Sequence, residues 1–158
     1  MISSNKHTFH ATDMMPLIIE RLNAGQNVRG LTFQGVSMRP MLREETDTVE
    51  VTAIPEILRR YDLPVYCGPD GKFVMHRIVD VKPDHYVCLG DNTYHYEKVR
   101  REQIVAVVCA FQRNGKRFSV EAPSYRLYCR VWVAIYPLRR LFRQIKGKIG
   151  RCLRRLVK

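Results

Sequence analysis

The sequence predicts a mainly β, α+β fold: a compact barrel-like β body, with a short helix before it and a basic helical region after it. Between residues 27 and 120, β-branched and aromatic runs, several alternating with period two, are separated by Gly, Pro, Asn and Asp turns. After Pro123 the apolar residues recur at helical spacing instead. With 158 residues, 46% of them hydrophobic, the chain can bury one core, and it contains no apolar run long enough to predict a membrane span.

Three segments follow from this pattern: an N-terminal helical segment at 1–26, a β body at 27–120 and a basic amphipathic region at 121–158. In the first segment, Thr12 or Asp13 is positioned to cap a helix whose first turn contains Pro16. Ala24-Gly25 is expected to end that helix.

The β body consists of short strand-like runs. The stretch Gly68-Pro69-Asp70-Gly71 between two of them predicts a hairpin. The predicted strands lie in VRGLTFQGVS, DTVEVTAI, DLPVYCG, KFVMHRIVDVK, HYVCLG and IVAVVCAFQR.

The charge is distributed unevenly. Residues 1–112 carry a net charge of −1, whereas residues 113–158 carry +13, with Glu121 as their single acid. The excess positive charge therefore belongs to the C-terminal region, which indicates an anionic partner for that region alone. The five cysteines form no CxxC pair and no metal-ligand cluster, which favours free thiols in a reducing cytoplasm.

The segment Gly35-Val36-Ser37-Met38-Arg39-Pro40-Met41-Leu42 places a serine just after a predicted strand, with a proline three residues later. A nucleophilic serine needs such rigid presentation, because catalysis depends on the orientation of its hydroxyl. On its own, this pattern is also typical of an ordinary turn serine.

Two further segments strengthen the interpretation. Phe73-Val74-Met75-His76-Arg77-Ile78-Val79 predicts one strand carrying His76, and Leu89-Gly90-Asp91-Asn92 predicts a turn shortly before Glu97. The remaining histidines lack such surroundings and are predicted to be surface or loop residues; they are His7, His10, His85 and His95.

In this order and spacing, GVSMRPML, MHRIV and LGDN resemble the serine peptidase superfamily of type I signal peptidases and SOS-repressor-type self-cleaving peptidases. The resemblance spans roughly residues 30–112. It implies a compact β peptidase domain in which Ser37 is the nucleophile and no metal or organic cofactor is used. His76 stands where many bacterial members carry a lysine base. In this respect the sequence resembles the endoplasmic-reticulum type and its bacterial relatives, in which a histidine is the general base.

The resemblance also implies an acidic residue that orients His76. Glu97 matches that position best, and Asp91 is the competing residue, whose other interpretation is that it holds its loop in shape. Neutral histidine is a suitable base near pH 7, because its ordinary pKa is near 6.5. Lys72 is an alternative base, although its position in the turn before MHRIV favours an ordinary lysine at a hairpin tip. The backbone N–H of Ser37 is expected to donate to the oxyanion, but Gly35 replaces the hydroxyl residue that often supplies a second donor.

The C-terminal region has three interpretations. The apolar residues from Leu138 to Leu156 follow one helical face among arginines and lysines, which favours peripheral binding to an anionic membrane surface. The same charges fit nucleic acid, but the stripe is continuous and no zinc-finger or helix-turn-helix signature accompanies it. The third interpretation is packing of the stripe against the β body.

The expected function is therefore that of a serine endopeptidase, a hydrolase cleaving a peptide or a membrane-associated precursor through an acyl-enzyme. The expected location is cytoplasmic, peripheral on the inner face of the membrane. The alternative is a catalytically inactive peptidase-fold module that binds a membrane surface or a protein partner.

Overall fold

The structure, a computed structural model, describes residues 14–145. Its nine strands form two antiparallel sheets. The strands are β1 Val28–Leu31, β2 Thr48–Thr52, β3 Pro64–Cys67, β4 Phe73–Met75, β5 Arg77–Val81, β6 Tyr86–Leu89, β7 Glu97–Val99, β8 Ile104–Arg113 and β9 Lys116–Ser119. A six-stranded sheet has the order β1-β2-β8-β3-β4, with β9 also pairing to β8, and a three-stranded sheet has the order β5-β6-β7.

Helices flank the sheets at both ends of the described chain. Helix α1 spans Met15–Asn23 and helix α2 spans Pro123–Ala134, with a 3-10 turn at Arg101–Gln103 between strands. Residues 136–145 are also helical. The prediction of a mainly β, α+β fold is thus confirmed, but the strands of the described residues do not close into a barrel.

Helix α1 begins and ends close to the prediction. Pro16 lies in its first turn, and Gly25 follows its end with a φ of 75°. Met15, Ile18 and Leu22 form its buried face, at the 3–4-residue spacing of an amphipathic helix. The predicted capping residues, Thr12 and Asp13, lie outside the described residues.

The predicted single strand around His76 is wrong. Strand β4 pairs with β3 and ends at Met75, whereas β5 begins at Arg77 and pairs with β6 in the other sheet. The backbone of Ile78 is hydrogen-bonded to residues 61 and 62 rather than to β3. The N–H of Tyr61 donates to the Ile78 carbonyl (2.8 Å), and the N–H of Ile78 donates to the Asp62 carbonyl (2.9 Å). His76 therefore sits at the point where the chain crosses from one sheet to the other.

Helix α2 is part of the packed body. Tyr125 and Cys129 are buried in the main core beside α1 and the six-stranded sheet, and Tyr136 packs with Val79 and Leu89. The predicted boundary between 120 and 121 stays a prediction, but α2 docks one face on the β body. Within residues 14–145, no helix combines the length and apolar character that crossing a bilayer requires. The four cysteines of this range are free, and Cys152 lies outside it.

Candidate active site

Ser37 lies in the turn that follows β1, and its backbone is held by two neighbouring segments. The backbone N–H of Asn92 donates to the Ser37 carbonyl (2.7 Å), and the Asn92 side-chain amide donates to the Val36 carbonyl (3.2 Å). On the other side, the N–H of Gly35 donates to the Glu44 carboxylate (2.9 Å). The serine is half-buried, so its hydroxyl is presented from a fixed turn rather than from a free loop.

The apolar residues of GVSMRPML explain why this turn is rigid. Met38, Met41 and Leu42 are buried in the main core, with 4–7% of their surface exposed. Gly35 has a φ of 97°, a conformation that glycine adopts without the strain other residues incur. The motif therefore anchors the turn through its methionines and leucine while Ser37 faces the cleft.

His76 is 5% exposed, and its two ring nitrogens have different environments. Nδ1 lies 3.1 Å from Glu97 Oε2 and 3.1 Å from the Tyr66 hydroxyl. Nε2 is buried without a hydrogen-bond partner in the structure. Because the acceptors cluster at Nδ1, we assign the neutral ring's proton to Nδ1, which leaves the Nε2 lone pair free to accept one.

Gly90 brings the serine turn and the histidine ring together. A Cβ placed on Gly90 would lie 2.9 Å from the Ser37 carbonyl oxygen and 3.0 Å from His76 Cδ2, the ring carbon bonded to Nε2. A side chain at this position would also meet Thr93. Only glycine lets the edge of the ring that carries Nε2 approach the serine turn this closely.

Glu97 is the acidic residue whose side chain contacts the His76 ring. It begins β7 and accepts hydrogen bonds from the Tyr66 hydroxyl and from His76 through Oε2. Its other oxygen, Oε1, lies 3.3 Å from Nε2 of His95. The sequence pattern did not single out either neighbour. Tyr66 has the pattern of an ordinary aromatic residue in a strand. His95 is largely exposed, in agreement with a surface position, but it also contacts Glu97.

Asp91 serves a different group. Its carboxylate binds the buried guanidinium of Arg77 at two points (2.9 and 2.8 Å) and accepts from the Tyr128 hydroxyl (2.9 Å). Its carbonyl accepts from Trp132 Nε1 (2.9 Å) and from Arg139 (2.6 Å). The structure thus assigns Asp91 to holding the 90–93 loop against α2, whereas Glu97 contacts the imidazole.

The pKa shifts in the site follow from burial and from this network. Burial lowers the pKa of His76, and the Glu97 carboxylate opposes this only in part, so the ring is neutral near pH 7. For Glu97, burial acts to raise the pKa, but the Tyr66 hydrogen bond and the His76 ring outweigh it and the pKa lies below its ordinary value. Burial and the adjacent Glu97 carboxylate raise the pKa of Tyr66, which therefore stays a hydrogen-bond donor.

Ser37, His76 and Glu97 line one cleft of about 580 Å³. Lys72 borders the same cleft, but its ammonium group lies 3.6 Å from the Asp70 carboxylate and the side chain is 77% exposed. The remaining lining is a mixture of apolar and charged side chains, including Phe33, Met38, Leu42, Arg43, Glu44, Asp47, Val49, Phe73, Val74 and Met75.

The backbone N–H groups of Ser37 and Gly35 differ in their hydrogen bonding. Among residues 14–145, the N–H of Ser37 has no hydrogen-bond acceptor. The N–H of Gly35 is taken by Glu44. His85 pairs with Asp84 away from this cleft, and His7 and His10 lie outside the described residues.

No protein-family model matches the chain, and searches among curated proteins and solved structures find no match. The chemical assignment therefore depends on the geometry of Ser37, His76 and Glu97 and on the resemblance of their sequence segments.

Proposed function

We propose that this protein is a serine endopeptidase of the signal peptidase and SOS-repressor type, in which Ser37 is the nucleophile, His76 the general base and Glu97 the residue that orients it. One observation supports the proposal most strongly. The buried His76 ring, in the cleft that Ser37 lines, is hydrogen-bonded at Nδ1 and has no hydrogen-bond partner at Nε2. A base that is hydrogen-bonded at one nitrogen and has an unpaired second nitrogen is the arrangement that serine activation needs.

In the proposed reaction, Nε2 of His76 takes the proton of the Ser37 hydroxyl as Oγ bonds to the scissile carbonyl carbon. The carbonyl electron pair moves to oxygen, where the Ser37 N–H donates to it. The C–N bond then breaks, His76 returns the proton to the leaving amine, and an acyl-enzyme remains. His76 then takes a proton from water as the water oxygen bonds to the acyl carbon. It returns that proton to Ser37 Oγ as the ester C–O bond breaks, which releases the carboxylic acid and restores the serine.

The substrate class we propose is a peptide or a membrane-associated precursor, cleaved in the cytoplasm at the inner membrane face. The cleft supports a peptide substrate because it combines apolar walls with a few charged groups. The backbone of the serine turn is fixed before any substrate arrives, which favours catalysis by pre-organisation.

The test is cleavage of a defined mixture of unstructured peptides, followed by mass spectrometry. Wild-type protein should produce new termini, and Ser37→Ala and His76→Ala should each reduce the rate about 10³-fold or more, because nucleophile and base act as a unit. Ser124→Ala, at an exposed position, and His85→Ala, away from the cleft, serve as matched controls and should cleave the peptides at the wild-type rate. Absence of cleavage by folded wild-type protein, or equal cleavage by either site variant, would favour an inactive binding module.

A further inference from the structure

The outer face of the C-terminal helical region is an exposed apolar stripe that begins earlier than the sequence pattern suggested. Its members are 44–62% exposed, although all are large hydrophobic side chains. They are Leu127, Val131, Leu138, Leu141, Phe142 and Ile145.

These residues lie on one side of a nearly continuous helix. Helical bonding passes through the junction at Ile135, because Ile135 N donates to Val131 O and Arg139 N donates to Ile135 O, both at 3.0 Å. At about 100° per residue, the six side chains fall within an arc of roughly 100°. They therefore form one narrow stripe rather than scattered exposed residues.

The opposite face of the same helical region is already occupied. Tyr125, Cys129 and Tyr136 are buried in the body, and Trp132 donates to the Asp91 carbonyl. The stripe consequently cannot fold back onto the β body without undocking the helix. Packing against the body is excluded as an explanation for the part of the stripe that the structure describes.

The surrounding charge specifies the partner. Residues 122–158 contain eleven arginines and lysines and no acid. Arg130 lies next to the stripe and Arg140 lies further round the helix; both are exposed, and neither forms an ion pair with an acid among residues 14–145. Two copies of this face would bring the positive charges together, which opposes self-association, whereas an anionic surface would neutralise them.

We propose that the stripe from Leu127 to Ile145 is a peripheral membrane-binding surface that inserts its apolar side chains among anionic lipids while the flanking arginines contact headgroup phosphates. An apolar stripe bordered by arginines is the pattern of helices that lie in the membrane interface. Anionic headgroups add attraction for each basic residue near the surface. This inference is independent of the proposed peptidase activity.

Co-sedimentation of the full chain with phosphatidylcholine vesicles, with and without phosphatidylglycerol, tests the proposal. Wild-type protein should bind the anionic vesicles and bind the neutral ones much less. The decisive variant is Leu127→Gln/Val131→Gln, which changes α2 alone and leaves the basic C-terminal sequence intact. It should lower the partition coefficient at least about tenfold, since two apolar side chains no longer enter the interface.

A second variant, Leu138→Gln/Phe142→Gln, should give a similar loss, and it keeps the test informative if the first fails to fold. Ile57→Gln/Val81→Gln alters equally exposed apolar residues elsewhere and should change binding less than about twofold. Ser37→Ala should bind like the wild type, so a failure of the peptidase proposal would be distinguishable.

Three outcomes would overturn the proposal. The first is equal binding of the stripe variants and the wild type to anionic vesicles. The second is wild-type binding that does not depend on anionic lipid. The third is a lipid-free dimer, detected by sedimentation velocity, that the stripe substitutions convert to a monomer, because the stripe would then be a subunit interface.

Discussion

At the scale of single residues, two acids that the sequence presents as rivals have separate tasks. Glu97 contacts the imidazole of His76, and Asp91 forms a buried ion pair with Arg77, both partners being less than 4% exposed. A carboxylate on Nδ1 fixes the tautomer and stabilises the imidazolium that forms during catalysis. A carboxylate on a buried guanidinium instead compensates a charge that would otherwise be costly to bury.

Exchange of each acid for its amide should separate the two roles. Glu97→Gln should reduce kcat about 10²-fold or more with little change in Tm, because the fold loses no buried charge pair. Asp91→Asn should lower the free energy of unfolding by about 3–5 kcal/mol, because Arg77 would remain buried without its counter-charge. Peptide cleavage and thermal melts of both variants check this, and the reverse pattern would exchange the roles.

The pH dependence of cleavage should report His76. Its pKa lies below the ordinary 6.5 because burial disfavours the charged ring. The neutral, active form therefore predominates above pH 6.5, and kcat/KM should fall only on the acidic side of that value. The free energy of unfolding changes with pH in the same direction as the activity. The contribution of His76 is complete above pH 6.5 and is lost as the pH falls, because the unfolded chain takes up the proton at a higher pH than the folded protein.

Two comparisons sharpen the pH measurement. Glu97→Gln should move the acidic limb to lower pH, since the carboxylate charge acts to raise the pKa of His76. A profile that rises only above about pH 9 would contradict the assignment and point to a lysine base such as Lys72.

At the scale of elements, the 90–93 loop connects three parts of the molecule. Gly90 lies between the Ser37 carbonyl and the His76 ring and allows their close approach. Asn92 is hydrogen-bonded to the serine turn, and Asp91 is held by α2. The spacing of Ser37 and His76 therefore depends on one turn that α2 supports from behind.

Gly90→Ala tests this dependence. The added methyl would lie 2.8 Å from Thr93 Cγ2 and 2.9 Å from the Ser37 carbonyl oxygen, closer than real Cβ contacts allow. It would also lie 3.0 Å from His76 Cδ2, so the turn or the ring must shift. We expect cleavage to fall about 10²-fold while the fold is retained, since a displacement of an ångström costs that much in positioning. Gly68→Ala is the matched control, because its closest neighbour there, at 3.2 Å, is the end of the Asp70 side chain. Equal activity of the two variants would contradict the role of Gly90.

At the scale of the whole molecule, α2 completes the core. Chain termination after Pro123 would remove Tyr125 and Cys129, both of which contact the Arg77 guanidinium (2.8 Å each). The shortened chain should therefore show no cooperative thermal transition, because buried apolar and polar contacts are lost together. Termination after Ile145 keeps these contacts and should fold. A cooperative, active chain ending at Pro123 would instead make α2 a removable appendage.

The sequence was sufficient for the fold class and for most of the strands, but not for the long-range strand pairings. Each predicted β run contains at least one strand, because β-branched residues in alternating runs suit a half-buried sheet. Strands β7 and β9 are short and polar, so periodicity did not reveal them. The break at His76 and the placement of Tyr66 beside Glu97, 31 residues away, depend on which strands pair, and local periodicity does not reveal the pairing.

Covalent labelling of the Ser37 hydroxyl tests most directly whether His76 activates Ser37. A serine-reactive acylating or phosphonylating probe, followed by intact-mass analysis and peptide mapping, should give one adduct per chain on Ser37. Ser37→Ala should remain unlabelled, and His76→Ala should label at least about 10²-fold more slowly because the hydroxyl keeps its proton. Absence of an adduct, an adduct at another residue, or equal labelling of the His76→Ala protein would contradict the account.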